Sequence, residues 1–142
     1  TIKDVYLSGF STAIDILADT ATIQNSYITT STIAIAGNTG ANALNIIDNS
    51  LLTNGTAIQL GVTSLSSKIN IKGNVIQDNT TNGIKMSQNS KSVTIDGNYF
   101  ENNATSDIEV GSASVANLSI TNNHFEVKAA NSNSLYLVGD TI

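Results

Sequence analysis

Two of the three glutamates in this chain, Glu101 and Glu126, stand 25 residues apart, and each lies two residues after a ring, Tyr99 before one and His124 before the other. Two carboxylates about 5 Å apart suit a retaining glycosidase, because their mutual repulsion raises one pKa and leaves it an acid. Rings beside carboxylates also suit sugar binding. Rings stack on apolar sugar faces, and carboxylates take the hydroxyls. The candidate catalytic residues are therefore Glu101 and Glu126, with Asp78 and Asp107, expected in loops that could reach the same surface, as further acids at wider, inverting-type spacing. Tyr99 and His124 are the candidate substrate-binding residues. The plainer reading is that an outward aromatic column pairs strands or packs against another subunit, and that the acids are simply solvated.

Composition narrows the field. The chain has 142 residues, the length of one domain, and a net charge of −5. All six basic residues are lysines, so with no Arg and no basic cluster a nucleic-acid partner is not expected. One His and no Cys exclude thiol chemistry and His-rich metal sites, so neither a metal nor a cofactor is expected. No apolar run approaches the ~20 residues of a membrane span, so membrane insertion is not expected either. Ile supplies 18 residues and Asn 19, against no Pro and no Trp, which suggests many short β-strands.

What would position the acids and rings is a repeat. Asn49, Asn74, Asn98 and Asn123 recur at intervals of 25, 24 and 25 residues. Around each runs apolar-x-apolar-x-x-Asn-x-apolar: Leu44, Ile46 and Leu51; Ile69, Ile71 and Ile76; Val93, Ile95 and Phe100; Leu118, Ile120 and Phe125. A second alternating pair follows in each unit: Ile58/Leu60, Ile84/Met86, Ile108/Val110 and Leu135/Leu137. The frame runs back through Ser26 and, weakly, Val5, giving about six units of 21–25 residues. Alternation in runs this short means strands, and a repeat of this length means a solenoid. Three short strands per unit would close one coil, each pairing in parallel with its equivalent in the next coil about 4.8 Å away. Asn at a sharp corner fits twice over, since it tolerates the left-handed region and its amides can ladder from coil to coil. Asn54-Gly55 and Asn82-Gly83 are hairpin-type dipeptides, but an antiparallel sandwich would not keep three apolar signatures in one order.

The repeated cores Ile46–Leu51, Ile71–Ile76, Ile95–Phe100 and Ile120–Phe125 resemble the right-handed parallel β-helix of the pectate-lyase-like superfold. The resemblance covers all six units. It implies an all-β, single-stranded right-handed β-helix over residues 1–142, with an Asn-ladder corner and a polysaccharide as ligand. Within that group the chain resembles bacteriophage tailspikes. That implies recognition of a bacterial surface polysaccharide, with depolymerisation left open, by a homotrimer in the virion tail or outside the cell. The alternatives are a secreted polysaccharide lyase, glycoside hydrolase or epimerase, and a structural shaft or adhesin stalk. The Arg-based lyase site and the polygalacturonase motifs of this superfold are not in the sequence.

The chain opens and closes inside a coil with no capping helix, so it is expected to be a portion of a longer β-helix. Placing the apolar sets inward puts Tyr6, Tyr27, Ser50, Val75, Tyr99 and His124 in one outward column, and Gln77, Glu101 and Glu126 in another. Lys72 should face Asp96, and Lys85 should face Glu109, as ion pairs between coils. Asn54, Asn79, Asn103 and Asn117 begin Asn-x-Ser/Thr sequons, which chance alone explains in a chain of this composition.

Overall fold

The computed structural model describes residues 1–38, 42–61, 66–87, 90–111, 115–126 and 132–138, and the regular secondary structure among them is all β-strand. Eighteen strands, numbered in chain order, form three parallel six-stranded sheets. The first sheet holds β1 (Ile2–Lys3), β4 (Thr20–Gln24), β7 (Ala43–Ile47), β10 (Ser66–Lys72), β13 (Ser90–Asp96) and β16 (Val115–Thr121). The second holds β2 (Tyr6–Ser8), β5 (Tyr27–Thr29), β8 (Ser50–Leu52), β11 (Val75–Gln77), β14 (Tyr99–Glu101) and β17 (His124–Glu126). The third holds β3 (Thr12–Ile16), β6 (Ile33–Gly37), β9 (Thr56–Leu60), β12 (Asn82–Met86), β15 (Ser106–Val110) and β18 (Asn133–Leu137). Each strand pairs with the strand three places along, never with its neighbour in sequence. Each coil therefore gives one strand to each sheet, and the chain is a parallel β-helix, as the repeat predicts.

Register follows the repeat. Ile46, Ile71, Ile95 and Ile120 oppose one another in the first sheet, and Leu51, Ile76, Phe100 and Phe125 in the second. A slip of one residue would turn each of these columns to solvent. Ile46, Ile71, Ile76 and Ile84 are fully buried, and the Phe100 and Phe125 rings stack inside with centroids 5.1 Å apart. Each buried Ile contributes ~1.5–3 kcal/mol, so the apolar column down the axis is the main source of stability.

The corner from the first sheet to the second carries the expected amide ladder. The backbone N–H groups of Asn49, Asn74 and Asn98 donate to the Oδ1 of the next Asn at 2.9 Å, ending on Asn123. Ser26 joins from the other side, its N–H donating to Asn49 Oδ1 at 3.0 Å. One expectation is corrected. The left-handed residue is not the ladder Asn but the one before it: Asp4, Asn25, Asp48, Gly73, Gly97 and Asn122, with φ from 50° to 66°. That residue makes the turn, which frees the following side chain to tuck beneath the corner and bond along the axis.

A second amide ladder, which the repeat reading does not contain, holds the corner from the second sheet to the third. Ser31 N–H donates to Asn54 Oδ1 at 3.0 Å, Asn54 N–H to Asn79 Oδ1 at 2.9 Å, and Asn79 N–H to Asn103 Oδ1 at 3.3 Å. Again the preceding residues, Thr30, Thr53, Asp78 and Asn102, have positive φ. Three of the four sequon asparagines are thus buried corner residues, at most 1% exposed.

Candidate functional site

The second sheet brings four of the candidate residues together. β14 and β17 pair Tyr99 with His124 and Glu101 with Glu126, the inward Phe100 and Phe125 locking the register between them. A three-residue strand flanked by corners has two outward positions, and here these hold the ring and the acid. The Tyr99 and His124 rings stack with centroids 5.2 Å apart and planes within 4°. The Tyr99 hydroxyl lies 2.9 Å from Glu126 Oε2 and 3.2 Å from Glu101 Oε2, so one phenolic proton serves carboxylates of two coils. The bond to Glu126, then partial burial and the bond to Glu101, push the Tyr99 phenol up to about 12, so it stays a donor well into alkaline pH.

The other two candidate acids lie apart from this group. Asp78 is the left-handed residue after β11, and it accepts from Gln77 Nε2 at 3.1 Å and from the Asn102 amide. It stands at the rim of the strip as part of the corner. Asp107 departs from the sequence expectation. It lies within β15 rather than in a loop, is 3% exposed, and accepts from Asn103 Nδ2 at 2.7 Å and from Ser134. Burial raises its carboxyl above the usual range. Asp107 thus belongs to the end of the second ladder and does not face the surface shared by Glu101 and Glu126.

Two ion pairs form between coils as their columns imply. Lys72 Nζ is 3.6 Å from Asp96 and Lys85 Nζ is 3.3 Å from Glu109, each across one coil step. Asp96 also accepts from Asn122 and Thr121 at 2.9 Å, and these bonds, ahead of Lys72, hold its carboxyl below the usual range. A shallow open depression of about 310 Å³ lies on the first sheet, lined by Thr1, Thr20, Ala21, Thr22, Ala43 and Asn45. It is on a different face from the rings and acids. Among the described residues no three His, Cys, Asp or Glu side chains cluster to hold a metal ion.

Chemically, the strip is a row of acceptors on an open wall. Each carboxylate has about four acceptor positions and gives one oxygen to Tyr99, so most remain available to a polyhydroxylated ligand. Glu101 is half-buried and Glu126 exposed. No curated protein and no solved structure matches the chain. A family model does match, and it is a model of a β-helix, the architecture laid out above. That model, described as the right-handed β-helix region, matches residues 1–142, the full length, and the chain belongs to this family.

Proposed function

We propose that this chain is a carbohydrate-recognising stretch of a β-helix protein, and that Tyr99, Glu101, His124 and Glu126 contact the hydroxyls of a surface polysaccharide. The observation behind the reading is the Tyr99 hydroxyl held between Glu101 and Glu126, which fixes two acceptors from adjacent coils on one exposed face. Fixed acceptors lose little freedom on binding. Recognition fits this wall better than turnover, because among the described residues no pocket encloses the two acids, and Glu126 is open to water. The resemblance to tailspikes extends the proposal to a trimeric virion or extracellular component that binds a bacterial surface polysaccharide.

The test is titration of the protein with oligosaccharides cut from bacterial surface polysaccharides, alongside Tyr99→Ala and Glu101→Gln. Loss of one stacking ring should weaken binding several-fold at ~1 kcal/mol per ring, while circular dichroism stays unchanged. Light scattering reads the trimer. Unchanged affinity in both variants would overturn the proposal in favour of a structural shaft, a role that the coil-to-coil stacking of Tyr6 on Tyr27 and Tyr99 on His124 also suits.

A further inference from the structure

The outward column of the second sheet runs Tyr6, Tyr27, Ser50, Val75, Tyr99, His124, in register from strand to strand. Its rings form two stacks, Tyr6 on Tyr27 with centroids 5.4 Å apart and Tyr99 on His124 at 5.2 Å, each with planes within 8°. The centroids are farther apart than two faces in contact (~3.5–4.0 Å), so the stacked rings are offset, with one face of each ring turned toward its own stack. Each stack therefore uses the faces turned inward to itself. The other face of Tyr27 looks toward Ser50, and the other face of Tyr99 looks toward Val75.

Tyr27 and Tyr99 are three coil steps apart, about 14 Å at ~4.8 Å per step. Only the short side chains of Ser50 and Val75 stand between them in the column. The result is a notch across the second sheet, walled by two tyrosine faces. Two van der Waals gaps of ~3.5–4.0 Å leave about 7 Å for ligand atoms, the size of a sugar ring with its substituents. Facing rings over a floor of Ser50 and Val75, flanked by Leu52 and Gln77, suit a saccharide, with its apolar ring faces and equatorial hydroxyls.

Charge narrows the occupant. Lys3, Lys68, Lys72 and Lys91 lie in the first sheet, and Lys85 lies in the third, paired with Glu109. The described residues of the second sheet carry no lysine. The acids nearest the notch are Asp48, at the corner two residues before Ser50, Asp78 in the Val75 coil and Glu101 at the Tyr99 end, with Glu126 one coil beyond; Lys72, three residues before Val75, is paired with Asp96 at 3.6 Å. A uronate or sulfate in the notch would meet these carboxylates, while Lys72 is already paired with Asp96. We infer that the notch between Tyr27 and Tyr99 binds an uncharged or amino-substituted glycan and excludes acidic ones, a reading that rests on the carbohydrate recognition proposed above.

The test is calorimetric titration with three oligosaccharides of matched length: a neutral glucan, a chitosan oligomer and an oligogalacturonate. The first two should bind, the chitosan oligomer more tightly at low salt. The oligogalacturonate should bind at least about tenfold more weakly, and Glu101→Gln combined with Glu126→Gln should close that gap. Tyr27→Ala should weaken glucan binding several-fold although Tyr27 is remote from the acids. Val75→Tyr should fill the notch with a ring in register with Tyr99 and abolish binding, with circular dichroism confirming the fold. Tightest binding of the oligogalacturonate would overturn the charge selection alone. Native-like binding by both Tyr27→Ala and Val75→Tyr would overturn the notch and leave the strip. Binding of none of the three probes would sink the carbohydrate reading along with the notch.

Discussion

Asn49 and Asn74 are tied twice across one coil step: Asn74 Oδ1 accepts the backbone N–H of Asn49 at 2.9 Å and its Nδ2 at 3.0 Å. The Asn74 amide in turn donates to Ile46 O and Asn98 Oδ1, both at 2.9 Å. Every one of these atoms is buried with its residue, so none has water to fall back on. Asn74→Ala should cost about 2–4 kcal/mol in chemical denaturation, the range for breaking a buried network. Asn74→Asp should cost more at neutral pH, since a carboxylate would place an acceptor against Ile46 O and Asn98 Oδ1. An aspartate variant at least as stable as the alanine variant would show that the ladder contributes little through its donors.

Two glycines at corners should respond to substitution by different amounts. Gly97 has φ +63° with nothing within 4 Å of the place a Cβ would take, and its partner one coil on is Asn122 at φ 54°. Gly97→Asn should therefore be close to neutral, and Gly97→Ala should cost ~1–2 kcal/mol of left-handed strain. At Gly55 a Cβ would sit 2.3 Å from the Thr32 carbonyl oxygen, which accepts the Thr56 N–H at 2.9 Å. That oxygen cannot retreat without losing a bond between coils. Gly55→Ala should cost above about 3 kcal/mol, measured by denaturant midpoint. Equal losses at the two positions would contradict this.

The inward columns are legible in the sequence because alternation has a period of two and one face is buried, so a single apolar pattern sets strand, register and coil length together. The second ladder is not legible in the same way. Asn54, Asn79 and Asn103 each follow a first-ladder Asn by five residues, but in a chain with 19 asparagines that spacing does not stand out. Spacing misplaces Asp107 because β15 breaks alternation at its start: Ser106, Asp107 and Ile108 are all buried where the chain comes off the corner. Of the candidate site, the column shared by Tyr99 and His124 follows from register. The direction of the ring faces depends on side-chain rotamers, which spacing does not carry.

Asp107 should make the fold more stable in acid. Its carboxyl is raised above the ordinary 3.8 chiefly by burial, so the folded chain holds the proton more tightly than the unfolded chain. Its contribution is complete below that unfolded value and is lost as pH rises through the folded one. Asp107→Asn keeps an acceptor for Asn103 Nδ2 and carries no charge. The variant should therefore gain on the native chain as pH rises above about 4, read as a difference in Tm that widens with pH. A difference between the two that does not change with pH would show that the Asp107 carboxyl pays no burial penalty.

Tyr99 should be a late-titrating tyrosine, and the lateness should depend on the acids. Its phenol is raised from 10.0 to about 12, first by its bond to Glu126. Absorbance of the native chain minus that of Tyr99→Phe isolates this one ring through an alkaline titration. In a Glu126→Gln background the same difference should move back toward 10, because an amide oxygen opposes phenolate formation less than a carboxylate does. The linkage has the same sign as for Asp107: a raised folded value gives stability that is present below pH 10 and lost as pH rises through about 12. Tyr99→Phe retains the stack on His124 but leaves Glu101 and Glu126 without the shared proton, so it should be less stable than the native chain at pH 8, by a margin that closes above pH 12. A midpoint for Tyr99 near 10 in the native chain would mean that the hydroxyl is not held between the two carboxylates, and the acceptor row proposed for sugar hydroxyls would lose its anchor.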